Sequence, residues 1–290
     1  MSIFQQDIFK GEKIQLGYFF NRKGENLMIL FPGFGQSARH YVYFAANLQA
    51  NYSILAIDQL QHGDSKILDE NHILKPEELS ATISELLSFL GFKKGITVIG
   101  GFSFGNWMAA ACLASEHLNP KAWLIMSPPS FRFSRLFKFA THHFLGKRIF
   151  SFYAQHFSQL LETLNLLQKL GLVSKDKIKM AGKQVQDSSK SYRLYSNWQA
   201  MRQFIPNWTN CIKLAQNKKI RVLFTNGTED KITPADGLKR LFEKYPEFEI
   251  LDFQGGHTFA SDEILMKLNI ILFELNNQMK FEQDSLTLKK

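Results

Sequence analysis

A serine between two glycines is the first candidate for chemistry in this 290-residue sequence. In the segment VIGGFSFGNW, Gly101, Ser103 and Gly105 spell G-x-S-x-G, after an apolar run and before the amphipathic segment NWMAAACLASEHL. A strand that turns sharply into a helix holds a serine Oγ clear of the sheet, and glycines on each side prevent backbone clashes. The pattern predicts that Ser103 is a nucleophile; the alternative is a glycine-rich turn with an incidental serine.

A serine hydroxyl is a weak nucleophile, so it needs a base that a third group orients. Of the eight histidines, His257 in DFQGGHTFAS is the one that directly follows a β-like run. Asp230 in LFTNGTEDKITP follows the preceding run, so both side chains are expected at one edge of a sheet. The candidate nucleophile, acid and base therefore occur along the chain in the order Ser103, Asp230, His257. Glu229 is the alternative to Asp230 as the acid. Considered alone, Asp230 is also typical of a turn-forming residue, and His257 is also typical of a residue in a surface loop.

Six mainly apolar runs predict the strands that would position these side chains: NLMILF, YSILAID, ITVIGG, AWLIMS, IRVLFTNG and FEILDF. Such runs are typical of strands buried on both faces of a parallel sheet. Between the second and third runs, residues 76–90 form an apolar stripe at helical spacing, with Pro76 at the start and Gly91 after the end. A second stripe follows His257, at Ile264, Leu268, Ile271 and Leu275. The alternation predicts an α/β fold with a mostly parallel central sheet flanked by helices.

The alternation stops after the segment SPPS, at residues 127–130, and resumes only at IRVLF. A loop of that length is uncommon inside a domain, so an inserted helical subdomain is expected. We predict a core of residues 1–130 and 215–290 and a helical lid over residues 131–214.

In these features the chain resembles the α/β-hydrolase family, over roughly residues 25–130 and 215–279. G-x-S-x-G, GTEDKITP and GGH occur here in the order in which that family places nucleophile, acid and histidine. The resemblance implies that Ser103, Asp230 and His257 form a catalytic triad. It also implies a helical lid after the strand that ends near residue 127.

The resemblance further implies two backbone N–H donors for an oxyanion. One belongs to Phe104, the residue after the nucleophile, and the second to Phe34 in the loop PGFGQSARH. Where the family commonly has His-Gly, this chain has Pro32 and Gly33, a departure that bears on the geometry of the loop.

The same loop permits another interpretation. Gly33, Gly35 and Ala38 spell G-x-G-x-x-A after a strand, and Asp58 ends the next strand, as in a dinucleotide-binding fingerprint. Pro32 interrupts the entry to that turn, and the fingerprint leaves Ser103, Asp230 and His257 unexplained. We therefore predict no cofactor, and no metal, since His142 and His143 lack a matching ligand set.

Residues 131–153 carry five Lys and Arg residues and no acidic residue, and their apolar side chains fall at the spacing of one amphipathic helix. One interpretation is a lid whose cations are simply solvated. The other is that Phe137 and Phe144 line an apolar acyl pocket while cations such as Arg132 and Arg135 meet an anionic or carrier-bound substrate or an interface.

Composition excludes several classes of protein. The net charge is +9, and the two cysteines form neither a CxxC pair nor a disulfide framework, so a cytoplasmic protein is expected. No transmembrane segment and no nucleic-acid-binding motif is apparent.

The expected activity is that of a serine hydrolase for carboxylic esters or thioesters of small, largely apolar acyl groups. The alternatives are a lyase or C–C hydrolase on the same triad, or a non-catalytic ligand-binding member of the fold.

Overall fold

The computed structural model describes residues 4–48, 51–69, 71–92, 97–115, 118–129, 131–171, 188–234, 236–259 and 261–287. The strands within these ranges are β1 (Phe4–Lys10), β2 (Ile14–Asn21), β3 (Asn26–Phe31), β4 (Tyr52–Ile57), β5 (Lys66–Ile67), β6 (Val98–Phe102), β7 (Ala122–Met126), β8 (Arg221–Gly227) and β9 (Glu249–Phe253). The helices are α1 (Val42–Asn47), α2 (Pro76–Phe89), α3 (Gly105–Leu113), α4 (Phe131–His142), α5 (Phe144–Gln155), α6 (Phe157–Lys169), α7 (Ser188–Ala200), α8 (Trp208–Asn217), α9 (Asp236–Phe242) and α10 (Asp262–Thr287). A 3₁₀ turn, Ala38–Tyr41, precedes α1.

The strands form one sheet in the order β1-β2-β4-β3-β6-β7-β8-β9, with β5 paired to β2. From β4 to β9 all pairings are parallel, whereas β2 pairs antiparallel with β1, β4 and β5. All six predicted strands are confirmed; the antiparallel β1, β2 and β5 were not predicted. The chain runs from β3 outward to β4 and then returns to β6 on the other side of β3. The carboxyl ends of β3 and β6 therefore flank the point where strand order reverses, which is where open α/β sheets bind ligands.

Helices cover both faces of the sheet. One apolar cluster unites the buried faces of α2, α3, α8 and α9 with one side of the sheet. A second cluster unites α1 and α10 with the other side, and its α10 members include the predicted stripe: Ile264, Leu268, Ile271 and Leu275. Within the described ranges, no helix is long and apolar enough to cross a membrane.

Helices α4 to α7 lie between β7 and the return of the chain to the sheet, where a helical insertion was predicted. Residues 131–153 are not one helix, as the spacing had suggested. His143 is extended, with φ −76° and ψ 134°, so it separates α4 from α5 and resets the helical phase. The predicted boundary at residue 214 falls inside α8, whose Trp208 stacks on Trp123 of β7 with ring centroids 6.0 Å apart. That helix packs on the sheet like the other core helices.

Candidate active site

Ser103 occupies the sharp turn between β6 and α3. Its φ is +49°, a left-handed conformation that costs a non-glycine residue free energy, and its N–H donates to the Met126 carbonyl over 2.8 Å. A Cβ on Gly101 would lie 2.5 Å from the Asn106 nitrogen, and one on Gly105 would overlap the Phe31 carbonyl oxygen. The two glycines that the motif requires are therefore required here by close backbone approach.

Asn106, in the first turn of α3, braces this turn and was not predicted. Its Nδ2 donates to the Ser103 carbonyl oxygen over 2.8 Å and to the Met126 carbonyl oxygen over 2.9 Å. The fully buried amide thus ties the turn to the end of β7. An asparagine three residues after the serine was the available signal, but many helices begin with Asn near the first turn.

Asp230 and His257 are brought together from the loops after β8 and β9. Asp230 Oδ2 lies 2.7 Å from His257 Nδ1. A Cβ on Gly227 would overlap the carbonyl oxygen of Gly256, so the absence of a side chain lets the two loops approach. Burial would raise the pKa of Asp230, but hydrogen bonds from His257 and Thr233 outweigh it and hold that pKa below its usual value. The carboxylate is thus ionised at neutral pH and faces the imidazole.

Thr233 is a further member of this cluster that sequence analysis missed. Its Oγ1 lies 3.0 Å from Asp230 Oδ2, 3.1 Å from His257 Nδ1 and 3.1 Å from the Ser127 carbonyl oxygen. The N–H groups of Ile232 and Thr233 each donate to Asp230 Oδ1 over 2.9 Å. The pattern D-x-x-T after a strand is a turn signal in which Asp accepts from the following amides, so it could have singled out this threonine.

Glu229, the competing acid, points elsewhere. Its side chain is exposed and accepts a hydrogen bond from Gln254 Nε2 over 2.5 Å, while its N–H donates to the Gly255 carbonyl over 2.8 Å. Of the two adjacent carboxylates, only Asp230 contacts His257 in the described structure.

The imidazole of His257 lies beside the turn that carries Ser103. Its ring centroid is 4.6 Å from that of Phe102, the residue immediately before the serine. Within the described residues, no hydrogen bond joins Ser103 Oγ to His257. Such contacts are often long in ligand-free enzymes and tighten when substrate binds. The three predicted triad residues therefore share one end of the sheet, with the acid and the histidine in direct contact.

The loop after β3 lies against the same serine. A Cβ on Gly33 would be 3.2 Å from the Ser103 Cβ, tighter than ordinary packing. Hydrogen bonds inside the loop use the neighbouring amides: Gly33 N–H donates to Gln36 Oε1, Gln36 N–H to the Gly33 carbonyl, and Gly35 N–H to His62 Nε2. Among the described residues, the Phe34 N–H has no acceptor, so it is available as a donor. The other predicted donor, Phe104, directly follows Ser103 and is the residue immediately before α3.

His62 links this loop to the helical insertion. Its Nε2 accepts from Gly35, so Nδ1 carries the proton and donates to the Leu60 carbonyl oxygen over 3.3 Å. The same carbonyl accepts a hydrogen bond from Asn197 Nδ2 of α7 over 2.7 Å. Burial, assisted by the charge of Arg193, lowers the pKa of His62 to about 4 against the opposing Leu60 hydrogen bond. A neutral imidazole therefore connects α7 with the loop that carries Phe34.

Asp58, the acid of the possible dinucleotide fingerprint, accepts hydrogen bonds from two backbone amides, one in the loop after β3 and one in its own loop. Its Oδ1 accepts from the Ala38 N–H over 2.5 Å and its Oδ2 from the Asp64 N–H over 3.2 Å. Asp58 is also buried, being 3% exposed. This carboxylate closes two turns of the fold, which is not the role of the ribose-binding acid in that fingerprint.

The two predicted pocket phenylalanines have different surroundings. Phe137 is fully buried, with its ring centroid 4.7 Å from that of Trp107, 4.9 Å from Trp198 and 5.6 Å from Phe104. Phe144 is 72% exposed, and the Arg148 guanidinium lies over its ring at 5.4 Å. An exposed ring does not line an enclosed pocket, so Phe144 does not lie where it was predicted, whereas the place of Phe137 in a pocket stays a prediction. The break at His143 is the reason, because it turns Phe144 away from the side of α4 that Phe137 occupies.

Comparison with known proteins identifies the fold. A carboxylesterase structure from the ammonia-oxidizing thaumarchaeon Nitrososphaera gargenis matches with a TM-score of 0.61 and 16% identity, over 92% of this chain and 99% of that one. The thioesterase domain from the curacin biosynthetic pathway matches with a TM-score of 0.55 and 13% identity, over 93% and 99% of the two chains. A thermophilic esterase from Thermogutta terrifontis with malate bound matches with a TM-score of 0.56 and 14% identity, over 97% and 98%.

At such identities these likenesses show the fold, and the predicted α/β-hydrolase fold is confirmed. No curated protein matches the chain at a significant level. The sequence model of the family described as serine aminopeptidase, S33, matches residues 22–256, which is most of the chain. The chain therefore belongs to that family of α/β-hydrolases.

Proposed function

We propose that this protein is a serine hydrolase that cleaves carboxylic ester or thioester bonds through an acyl-enzyme on Ser103. The observation that carries the proposal is the partly buried 2.7 Å contact between Asp230 and His257, held beside the strained turn that bears Ser103. Members of this fold catalyse different reactions, so the argument rests on these side chains and not on the fold.

In the proposed first half-reaction, Ser103 Oγ attacks the acyl carbonyl carbon as His257 Nε2 removes its proton. Asp230 fixes Nδ1 as the protonated nitrogen, which leaves Nε2 free to act as the base, and it stabilises the imidazolium that forms. His257 then returns the proton to the departing alcohol or thiol, and the acyl group stays on Ser103.

The negative charge on the carbonyl oxygen needs donors that are already in place. We assign these donors to the N–H groups of Phe34 and Phe104. In support, the N–H groups of Gly33 and Gly35, on either side of Phe34, already donate to other acceptors. The amino-terminal end of α3 adds a favourable dipole at the same point. In the second half-reaction, His257 removes a proton from water, which attacks the acyl carbon and releases the acid and Ser103.

The proposed acyl group is small and largely apolar. Phe137 packs on Phe104 and Trp107 at the base of the site, and Trp198 of α7 closes the same aromatic cluster. A half-buried Phe34 adds an apolar side chain on the loop opposite. We assign the helical insertion the role of a cap over this cluster.

Hydrolysis of p-nitrophenyl esters and acyl thioesters by wild type and by Ser103→Ala tests the proposal. We expect an initial burst of p-nitrophenol from wild type, since the acyl-enzyme releases the first product before the second. The Ser103→Ala variant should lose roughly four to six powers of ten in kcat. If it keeps more than about a tenth of wild-type activity, far outside the loss expected for a nucleophile, Ser103 is not the nucleophile.

A further inference from the structure

The solvent-facing side of α5 is unusually apolar. Four of its large side chains are exposed by 42% to 72%: Phe144, Leu145, Ile149 and Phe152. With the exposed Arg148 they occur at positions i, i+1, i+4, i+5 and i+8, which fall on one side of a helix with 3.6 residues per turn. Exposed apolar side chains scattered singly are ordinary on protein surfaces, but a contiguous set marks an interaction site.

Packing on the opposite side holds α5 in this orientation. A Cβ on Gly146 would overlap the Phe139 carbonyl oxygen of α4, so this residue faces α4 at close range. Phe150 points towards α7, with its ring centroid 4.9 Å from that of Trp198 and 5.2 Å from that of Tyr195. Gly146 and the inward-pointing Phe150 therefore attach α5 to the rest of the insertion. The other large apolar residues of α5 face outward: Phe144, Leu145, Ile149 and Phe152.

The exposed side of α4 has a related composition. Phe131 and Phe139 are 40% and 44% exposed, and Arg135 and Lys138 are exposed on the same arc of the helix. Phe137 is on the other side, against the residues next to Ser103. We call the exposed sides of α4 and α5 together the outer face of the insertion.

The charge of the outer face indicates which kind of partner could bind it. Residues 131–155 contain five Lys and Arg residues and no Asp or Glu: Arg132, Arg135, Lys138, Lys147 and Arg148. Aromatic and aliphatic side chains interleaved with cations match the boundary between anionic lipid headgroups and acyl chains. A second copy of the same face would instead bring like charges together.

We propose that the outer face of the insertion binds peripherally to the surface of an anionic lipid bilayer. Phe144, Leu145, Ile149 and Phe152 enter the boundary between headgroups and acyl chains, while Lys138 and Arg148 contact lipid phosphates. This goes beyond the proposed reaction and does not depend on it, because binding requires neither Ser103 nor a substrate.

Co-sedimentation of the full chain with lipid vesicles tests this, without any substrate present. One set of vesicles contains phosphatidylcholine and phosphatidylglycerol, and the other contains phosphatidylcholine alone. Phe144→Gln with Phe152→Gln removes two apolar contacts, and Lys138→Gln with Arg148→Gln removes two cations. The matched controls are Phe89→Gln with Phe273→Gln, both 67% exposed elsewhere on the protein, and Arg240→Gln with Lys244→Gln.

We expect wild type to bind the anionic vesicles at least about tenfold more tightly than the neutral ones. The double phenylalanine variant should lose at least about tenfold in binding and the double cation variant several-fold, with both controls unchanged. Raising NaCl from about 0.05 M to about 0.5 M should weaken wild-type binding, because salt screens the attraction. Circular dichroism and thermal unfolding check that each variant is folded.

Absence of binding to the anionic vesicles, equal binding to both kinds, or equal losses in the control variants would each overturn the proposal. Sedimentation velocity without vesicles adds a further decisive outcome. A wild-type dimer that becomes a monomer in Phe144→Gln with Phe152→Gln would show that the face covers a second copy instead.

Discussion

His62 Nε2 accepts a hydrogen bond from the Gly35 N–H over 3.1 Å, so a buried imidazole shapes the loop that carries the proposed oxyanion donor Phe34. We expect His62→Ala to lower kcat about 10- to 100-fold, since a buried hydrogen bond of this kind is worth about 1 to 3 kcal/mol. KM should change little, because the loop stabilises charge that develops after binding. Steady-state kinetics with the exposed His40→Ala as control checks this; equal effects of both variants would remove the role from His62.

The lowered pKa of His62 predicts a pH-dependent stability. Its folded-state pKa of about 4 lies below the ordinary value of 6.5, so between these values the unfolded chain binds the proton more readily. The free energy of unfolding should therefore decrease by up to about 3 kcal/mol as the pH falls from about 6.5 to about 4. Urea unfolding across that range should show a steeper decrease for wild type than for His62→Gln. If the free energies of unfolding of the two proteins changed with pH in parallel, His62 would not be the group responsible.

Asp230 and Glu229 are adjacent carboxylates with different contacts, which makes them a matched pair for substitution. Asp230→Asn should lower kcat on the order of 10⁴-fold, because an amide favours the wrong tautomer of His257. Glu229→Gln removes only a contact with Gln254 and should leave kcat within about twofold, as exposed contacts contribute little. Ester hydrolysis measures both, and equal or reversed losses would transfer the acid role to Glu229.

Thr233 is expected to act as a positioning residue through Asp230 and His257. Thr233→Val keeps the volume but removes Oγ1, and should lower kcat roughly tenfold with KM unchanged, as one lost hydrogen bond predicts. Thr233→Ser restores the hydroxyl and should recover most of the rate. A valine variant that loses only thermal stability, with full kcat, would show that the hydroxyl serves folding alone.

Phe137 belongs to the proposed acyl pocket and Phe144 to the outer face of the insertion, so substitutions at the two positions test these two roles separately. If Phe137 underlies the acyl group, Phe137→Leu should reduce kcat/KM more for medium-chain esters than for acetate. Each methylene that loses contact is worth about 0.8 kcal/mol, or about fourfold. The exposed Phe144→Ala serves as the control and should leave the chain-length profile of a soluble ester series unchanged. If the chain-length profile changed in Phe144→Ala and not in Phe137→Leu, Phe137 would not belong to the acyl pocket.

Most of the parallel strands were predictable because they are buried and mainly apolar. The edge strand β9 is only partly buried and carries Glu249 and Asp252. The antiparallel strand β1 was not predictable, since it is largely exposed and polar, with the sequence FQQDIFK, and β5 has only two residues. The strand β2, with the sequence IQLGYFFN, is buried and mainly apolar, so its sequence did carry a strand signal. The predicted end of the lid at residue 214 falls inside α8, whose Trp208 stacks on Trp123 of β7. That contact joins residues far apart in the sequence.

Within the candidate site, the motif G-x-S-x-G and the strand ends predicted Ser103, Asp230 and His257, and the folded chain brings these residues to one end of the sheet. Asn106 could not be found in this way, because its hydrogen bond to the Met126 carbonyl joins segments that only the folded chain brings together. Phe144 was misplaced for a local reason. Helical periodicity continues across His143 in the sequence, but the backbone does not, so the two phenylalanines do not share a side.

The most direct test of the central claim is labelling of the folded protein with a fluorophosphonate, followed by mass spectrometry of the intact chain and of its peptides. Because a serine activated by the Asp230 and His257 pair attacks phosphorus and keeps the adduct, we predict one adduct per chain, located on Ser103. Ser103→Ala should remain unlabelled. Labelling at another residue, or no labelling of protein shown to be folded, would contradict the assignment of Ser103 as the nucleophile.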